Sequence, residues 1–313
     1  MKILVTGGAG FIGSHVADAY VAAGHEVAVL DNFSTGRESN VNPAAAVHHV
    51  DVRDQEKVAG VVASFRPDVV NHHAAQAEVP KSVADPAYDA HINILGGLNL
   101  LKASVDNSVG KFIFISTGGA LYGEPDVVPA GEDHPVRPLS PYGTSKYAFE
   151  QYLGTYQRTF GLNYTVLRYA NVYGPRQDFY AEEGRVVAIF ASRMLEGKPV
   201  TIDGDGSQSR DMVHVGDVAT ANLAALEKGA GGTYHVSTGM PVTINDIFRK
   251  LALLTEYRLE PRFGPGRKGD VYRIALDNSR AQEQLGWRPQ ITLEEGLSLT
   301  VDYFREQVSK PHS

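Results

Sequence analysis

Thr6-Gly7-Gly8-Ala9-Gly10-Phe11-Ile12-Gly13 is the stretch on which the fold turns. It follows a continuous apolar run, Lys2 to Thr6, which predicts a strand buried on both faces. It opens a helical pattern from Phe11 to Ala23 that stops at Gly24, a natural terminating glycine. Glycines at 8, 10 and 13 match the dinucleotide-binding spacing, and those at 7, 10 and 13 match the variant with a wider first step. Both registers have the same physical meaning. Glycine permits a tight turn, its bare backbone lets a pyrophosphate approach, and Gly13 lets helix and strand pack closely. The phosphates then rest on unpaired N–H groups at a helix N-terminus, where the dipole favours an anion. A second strand, Glu26 to Leu30, runs into Asp31 at the distance expected of a ribose-binding acid. A carboxylate there accepts hydrogen bonds from a 2′-hydroxyl and repels a 2′-phosphate, so NAD is expected over NADP; Arg37 is the one neighbour that argues otherwise.

The same rhythm continues along the first half. Strands are predicted at Ala46 to Val50, Asp68 to Asn71, Lys111 to Ser116 and Asn163 to Arg168. Helices are predicted at Gln55 to Phe65, Pro86 to Val105 and Pro141 to Phe160. This βα alternation implies an α/β fold: a doubly wound parallel Rossmann-type sheet with a smaller mixed α/β substrate domain. Past about residue 170 the segments shorten, and Gly, Pro and Asp cluster at Gly174-Pro175, Asp203-Gly204-Asp205-Gly206 and Phe263 to Gly269. The expected division is a dinucleotide-binding domain over 1–170 with a return segment near 211–240. A nucleotide-sugar-binding domain would then take 171–210 and 241–313.

Composition narrows the function classes. With 313 residues, 43% hydrophobic and 21% charged, the chain can bury a sizeable core. A net charge of −7 gives no reason to expect nucleic acid or an anionic membrane as a partner. There is no cysteine, which excludes disulfides, thiolate catalysis and thiolate metal ligands, and no metal is expected. The opening residues lack a secretory pattern and no apolar run is long enough to span a bilayer, so a cytoplasmic location is expected.

Two features turn a binding domain into an expected enzyme. In Pro141-Tyr142-Gly143-Thr144-Ser145-Lys146, Tyr142 and Lys146 stand four apart and share a helix face. To act as a base near neutrality the phenol must fall from a pKa of about 10 by roughly 3 units, or ~4 kcal/mol of differential stabilisation. Lys146 together with a positive nicotinamide ring is expected to supply it. The second feature is the buried strand that ends in Ser116-Thr117-Gly118-Gly119-Ala120-Leu121-Tyr122-Gly123. Open α/β sheets bind ligands beyond the carboxyl ends of their strands, so these hydroxyls are placed to orient a substrate.

With these blocks in view the sequence resembles the extended short-chain dehydrogenase/reductase family, and within it the UDP-galactose 4-epimerases. The resemblance rests on the glycine loop, Asp31-Asn32, Asp51-Val52, His73-Ala74-Ala75 and Tyr142-x-x-x-Lys146. It extends through Leu167-Arg168-Tyr169-Ala170-Asn171-Val172-Tyr173-Gly174-Pro175-Arg176, Arg210-Asp211-x-x-His214-Val215-x-Asp217 and Arg267-Lys268-Gly269-Asp270. It implies NAD contacts from Gly7, Gly10, Phe11, Ile12, Asp31, Asn32, Asp51, Val52, Ala74, Asn93, Lys146 and Tyr169. It implies a UDP-sugar substrate held by Thr117, Tyr142, Asn171, Val186, Thr201 to Asp203, Arg210, Arg267 and Asp270, and catalysis by Tyr142 and Lys146 with Thr117. Arginine forks suit a pyrophosphate, and Asp or Asn suits uracil and ribose.

One departure stands out. Where many relatives carry a catalytic Ser or Thr, this chain has Gly118, so Thr117, a water, or direct contact from Tyr142 must serve the substrate's 4-hydroxyl. The resemblance implies that dehydratases carry Asp-Glu next to the hydroxyl position and decarboxylases a Glu; Gly119-Ala120, which stand there in this chain, cannot transfer protons. The expected reaction is therefore epimerisation at C4 of a UDP-hexose, with an N-acetylhexosamine or a uronic acid as alternative sugars. A catalytically silent NAD-binding regulator on the same fold is the remaining alternative. Relatives dimerise through two helices per subunit, here those following Pro86 and Pro141, so a homodimer is expected.

Overall fold

The computed structural model describes residues 1–178, 186–266 and 271–308. β1 (Lys2–Thr6), α1 (Phe11–Ala22), β2 (Glu26–Asp31), β3 (Ala46–His49), α2 (Gln55–Phe65) and β4 (Val69–His72) form the first half of the sheet. Then come α3 (Val79–Ala84), α4 (Pro86–Ala90), α5 (Gly97–Asp106), β5 (Lys111–Thr117), α6 (Pro141–Phe160) and β6 (Tyr164–Tyr169). The later elements are β7 (Asn171–Tyr173), α7 (Val186–Leu195), β8 (Thr201–Asp203), β9 (Ser209–His214), α8 (Val215–Glu227) and β10 (Gly232–Val236). β11 (Pro241–Thr243), α9 (Ile244–Leu254), β12 (Arg262–Gly264) and α10 (Leu293–Val308) complete the described chain.

Seven parallel strands make the central sheet in the order β10-β6-β5-β4-β1-β2-β3. The chain winds to one side of β1, then crosses and winds to the other, so a crevice opens between the carboxyl ends of β1 and β4. Strand alternation sorts the core. Ile3 and Val5 face α1 and α8, whereas Leu4 faces the layer containing Phe112, Phe114 and Phe149. Continuous hydrophobicity in β1 and β5 thus reflects burial on both faces. α8 packs on α1 and β10 closes one sheet edge beside β6, while α7, α9 and α10 build a separate core around Phe190, Ile247, Leu251 and Phe304. A three-stranded sheet (β11-β9-β7) and a parallel pair (β12-β8) line this second region. No helix among the described residues is long and apolar enough to cross a membrane.

The helix expected from Pro86 to Val105 is not uniform. Its middle, His91–Gly96, is a π-helical turn between α4 and α5. A Cβ on Gly97 would lie 2.3 Å from the Phe149 ring, so the helix crosses α6 in very close contact there. A π turn leaves no mark in the hydrophobic period, which is why the sequence pattern reads straight through it.

Two aspartates of the Arg210–Asp217 block are structural. Asp217 accepts the N–H groups of Gln290 (2.9 Å) and Ile291 (3.0 Å). The buried Asp211 carboxylate accepts from Thr238 N (2.8 Å), Thr238 Oγ1 (2.7 Å), Gly239 N (2.9 Å) and Leu276 N (3.2 Å). It therefore ties β9 both to the turn after β10 and to the strap at Leu276. Asp211→Asn would face an amide NH₂ against backbone donors that have no other partner. A loss of about 1–3 kcal/mol in urea unfolding is expected, and an unchanged midpoint would show that the strap needs no such tie.

Candidate active site

The glycine loop lies at the crevice. Gly7 has φ +68°, and a Cβ there would sit 2.6 Å from Ala74 N; one on Gly13 would sit 2.3 Å from Gly7 O. Glycines 7, 10 and 13 thus carry the backbone constraint, while Gly8 meets only the side chain of Val29. Gly10 precedes α1 with no side chain to cap it, so the N–H groups of Phe11 and Ile12 are left to a ligand. Asp31 caps the loop through Ala9 N (3.0 Å) and Phe33 N (2.8 Å), each on a different oxygen, and still lines the cleft. Both the loop-capping and the ribose-binding readings of this residue are compatible with that geometry. Asn32 donates to Asp51 (2.8 Å), and Arg53 holds the Asp51 carboxyl well below its ordinary range. Gly7, Gly10, Asp31, Asn32, Asp51, Val52 and Ala74 thereby share one cleft. Its other wall includes His73, whose Nε2 is buried without a hydrogen-bond partner.

Two expected cofactor contacts fall elsewhere. The Tyr169 ring belongs to the core under the sheet; its hydroxyl accepts from Asn222 (2.6 Å) and its carbonyl accepts from Gly118 N (2.7 Å). Alternation along β6 carries that side chain away from the cleft, so Tyr169 is corrected from a cofactor contact to a core residue. Asn93 is buried with its amide given to Gln76 O (2.9 Å) and Asp89 (3.0 Å), and its oxygen accepting Gln76 N (3.0 Å). It shapes the cleft wall from behind.

The proton-transfer groups meet at the carboxyl end of β5. Ser140 caps α6, accepting Gly143 N at 3.2 Å, and Pro141 sets its first turn. A Cβ on Gly143 would lie 2.4 Å from Ala120 O, so only glycine lets the helix start this close to the loop. Thr117 stands near Tyr142, close enough for its hydroxyl to bear on the phenol's ionisation. Burial pushes the phenol up to about 12, the Thr117 hydroxyl lowers it, and the charge of Asp89 raises it. Lys146 is 4% exposed, donates to Ile115 O (3.0 Å) and stands 4.9 Å over the Phe114 ring. Burial brings its pKa down to about 8, while Asp89 and Glu150 hold it up. In the chain without its cofactor burial dominates at the phenol; the expected lowering was to come from Lys146 together with the nicotinamide ring.

Leu276 explains the missing hydroxyl at 118. A Cβ on Gly118 would lie 2.2 Å from Leu276 Cδ1, so the strap occupies the space a serine would need. Thr117 is the hydroxyl that remains. Gly143, Asp89, Glu150 and Leu276 were not legible as site residues; only Gly143, beside Tyr142, carried any local signal. Asn171 lies beside Gly119, whose Cβ would come within 3.5 Å of Asn171 Oδ1, and it shares the β11-β9-β7 sheet with Arg210. Thr201 and Asp203 sit on the β8–β12 pair, and Val186 begins α7. Arg267 and Asp270 lie outside the described residues.

A doubly wound sheet with a side-chain-free cradle at its first helix and an acid at the tip of its second strand defines a Rossmann-type dinucleotide-binding protein. The sequence matches the NAD dependent epimerase/dehydratase family over residues 3–237. It is 42% identical to the UDP-glucose 4-epimerase of Mycolicibacterium smegmatis, over 98% of this chain and 99% of that one. It superposes with TM-score 0.97 on the UDP-glucose 4-epimerase of Thermotoga maritima solved with UDP-glucose, at 51% identity, covering 99% of this chain and 100% of that one. The Thermus thermophilus UDP-glucose 4-epimerase in complex with NAD gives 0.92 at 48% identity, covering 97% and 99%. The chain belongs to the NAD dependent epimerase/dehydratase family, and NAD is its cofactor.

Two measurements probe this geometry. Gly118→Ser is expected to destabilise by about 1–3 kcal/mol through overpacking, and adding Leu276→Ala should cost less than the two single effects summed. Additive effects in urea unfolding would show that the two side chains do not compete. Burial lowers His73 to about 3, His214 to about 4 and His235 to about 3, whereas 6.5 is their ordinary value. Folded, they stay neutral while the unfolded chain takes up protons below about pH 6.5, so stability falls as pH drops. Each contributes up to about 1.4 kcal/mol per pH unit once the unfolded form is charged. A urea midpoint unchanged between about pH 6.5 and 5.5 would contradict this.

Proposed function

We propose that the chain interconverts UDP-hexoses by epimerisation at C4, with UDP-galactose and UDP-glucose as the pair. The placing of Tyr142 near Thr117 at the carboxyl end of β5 carries this reading, because it brings a phenol and a hydroxyl to the end of the sheet where open α/β folds take their ligands. The solved relative with UDP-glucose and the relative with NAD support it at high coverage. Gly7, Gly10, Phe11, Ile12, Asp31, Asn32, Asp51, Val52 and Ala74 would hold NAD, with Asn93 shaping the wall and Lys146 close by. When bound, NAD supplies the hydride acceptor at C4 and, once reduced, the hydride donor, together with positive charge beside the phenol in its oxidised form.

Within the chain, Tyr142 takes the 4-hydroxyl proton and returns it after the keto sugar has turned over about its phosphate linkage. Thr117, near the phenol, would orient that proton in place of the hydroxyl that Leu276 excludes at 118. Lys146 contributes charge from beneath. Gly119 and Ala120 offer no second acid/base, so nothing in this loop removes water or a carboxylate from the sugar. Asn171, Arg210, Thr201, Asp203, Val186, Arg267 and Asp270 would receive the UDP portion, and 171–210 with 241–313 would act as the nucleotide-sugar-binding part. A homodimer through the helices of 86–106 and 141–160 would cover Leu95 and Tyr152, which are exposed at 49% and 40%. Sedimentation should give twice the chain mass; a monomer at micromolar concentration would remove this assembly.

Purified protein should convert UDP-galactose with no added cofactor, and parallel incubations with UDP-N-acetylgalactosamine and UDP-galacturonate read sugar preference. Tyr142→Phe should lower kcat by about 10²–10⁴. Wild-type protein that holds NAD yet leaves every UDP-hexose unchanged would defeat the enzyme reading and leave the silent regulator.

A further inference from the structure

Asp89 is fully buried in α4 and touches three separate parts of the site. One carboxylate oxygen accepts Gln76 Nε2 (2.9 Å) from the loop after β4 and Asn93 Nδ2 (3.0 Å) from the π turn. The other accepts Ser145 Oγ (2.6 Å) from α6. Gln76 continues the cleft wall of His73 to Ala75, and Ser145 lies next to Lys146 and three residues past Tyr142. A buried carboxylate bonded only to neutral donors is costly unless a cation stands close by, and three well-aligned hydrogen bonds only partly replace its hydration.

We propose that Asp89 is a positioning residue of this site: a buried carboxylate that locks the catalytic helix to the cofactor wall through Gln76, Asn93 and Ser145 and, with Glu150, sets negative charge beside Lys146. The inference rests on the epimerase reading of Tyr142 and Lys146. The titratable groups around Asp89 are Tyr142, Lys146 and Glu150 from α6 and His72 and His73 from the end of β4, while Glu78, Lys81, Asp85 and His91 are exposed. Lys146 feels Asp89 and Glu150 as the two charges that oppose its desolvation. Tyr142 feels Asp89 as the charge that opposes ionisation, in the same direction as burial. His72 and His73 are held neutral by burial and by Lys146, so they add no charge of their own. Asp89 thus does two things at once: it makes a charged lysine tolerable in the interior, and it denies the phenol an early proton loss.

Two variants separate the tie from the charge. Asp89→Asn keeps the shape, because its oxygen can still serve Gln76 and Asn93 while its amide donates to Ser145 Oγ, a hydroxyl that can accept as well as donate. Ser145→Ala keeps the anion and removes one tie. In Asp89→Asn, both limbs of the kcat/KM pH profile should move to lower pH by about one unit, since phenolate is favoured and ammonium disfavoured. Ser145→Ala should leave both limbs in place and lower kcat about tenfold or more with KM little changed, as expected of lost alignment. The cofactor-stripped protein gives a readout independent of turnover. Folded Lys146 releases its proton near 8 and unfolded Lys near 10.5, so stability rises with pH across that window. In Asp89→Asn that rise should begin about one pH unit lower. Unmoved limbs, or an unmoved onset of the stability rise, would overturn the proposal. If Asp89→Asn does not fold, Ser145→Ala decides: wild-type kcat overturns the proposal, and a reduced kcat at unshifted pH limbs supports it. Absence of turnover on every sugar with the shifted stability onset intact would instead locate the failure in the epimerase reading.

Discussion

The site is organised around one ammonium taken out of water. Lys146 is buried beneath the carboxyl end of β5 with one backbone carbonyl as its hydrogen-bond acceptor and an aromatic face beside it. Removing a charge from water is expensive, and its pKa moves down accordingly. The carboxylates of Asp89 and Glu150 stand where they offset that cost. Glu150 is in turn engaged by Ser116 (2.6 Å) and by both arms of Arg168, which also reaches Tyr122 (2.7 Å). That ammonium is therefore one member of a buried network spanning α4, α6, β5 and β6.

Close backbone approach is the second constraint, and glycine is the means. Gly7 and Gly13 bring α1 against the end of β1, and Gly143 brings the start of α6 against the loop after β5. Each places a helix N-terminal turn at the carboxyl end of the sheet, α1 at the crevice where the strand order reverses and α6 at the loop after β5. Gly118 works the other way: its missing side chain is filled by Leu276, which arrives from far along the chain on a strap tied down by Asp211. The loop after β5 is thus packed from behind by Leu276.

Much of this could be read from sequence because the deciding signals are local. Hydrophobic runs, terminating glycines and a proline at the first helical turn give the bounds of α2 and α6 and the identity of every early strand to within a residue or two. The charge balance at the phenol was not legible, since it depends on the depth of burial and on a carboxylate more than fifty residues away. Tyr169 shows the same limit on a smaller scale. It sits in a strongly patterned block, yet one step of strand alternation turns it into the core, where Asn222 awaits its hydroxyl.

The sequence by itself determined the order of strands and helices, the cradle for a dinucleotide and the pairing of Tyr142 with Lys146 on one helix face, because each is a matter of spacing within a few residues. Tertiary structure alone decided that Leu276 takes the space at Gly118, and that Asp89 ties the loop after β4 to α6. Those contacts join positions 56 residues apart (Asp89 with Ser145) and 158 residues apart (Gly118 with Leu276), set by how layers pack and how much water they exclude, for which linear spacing carries no signal.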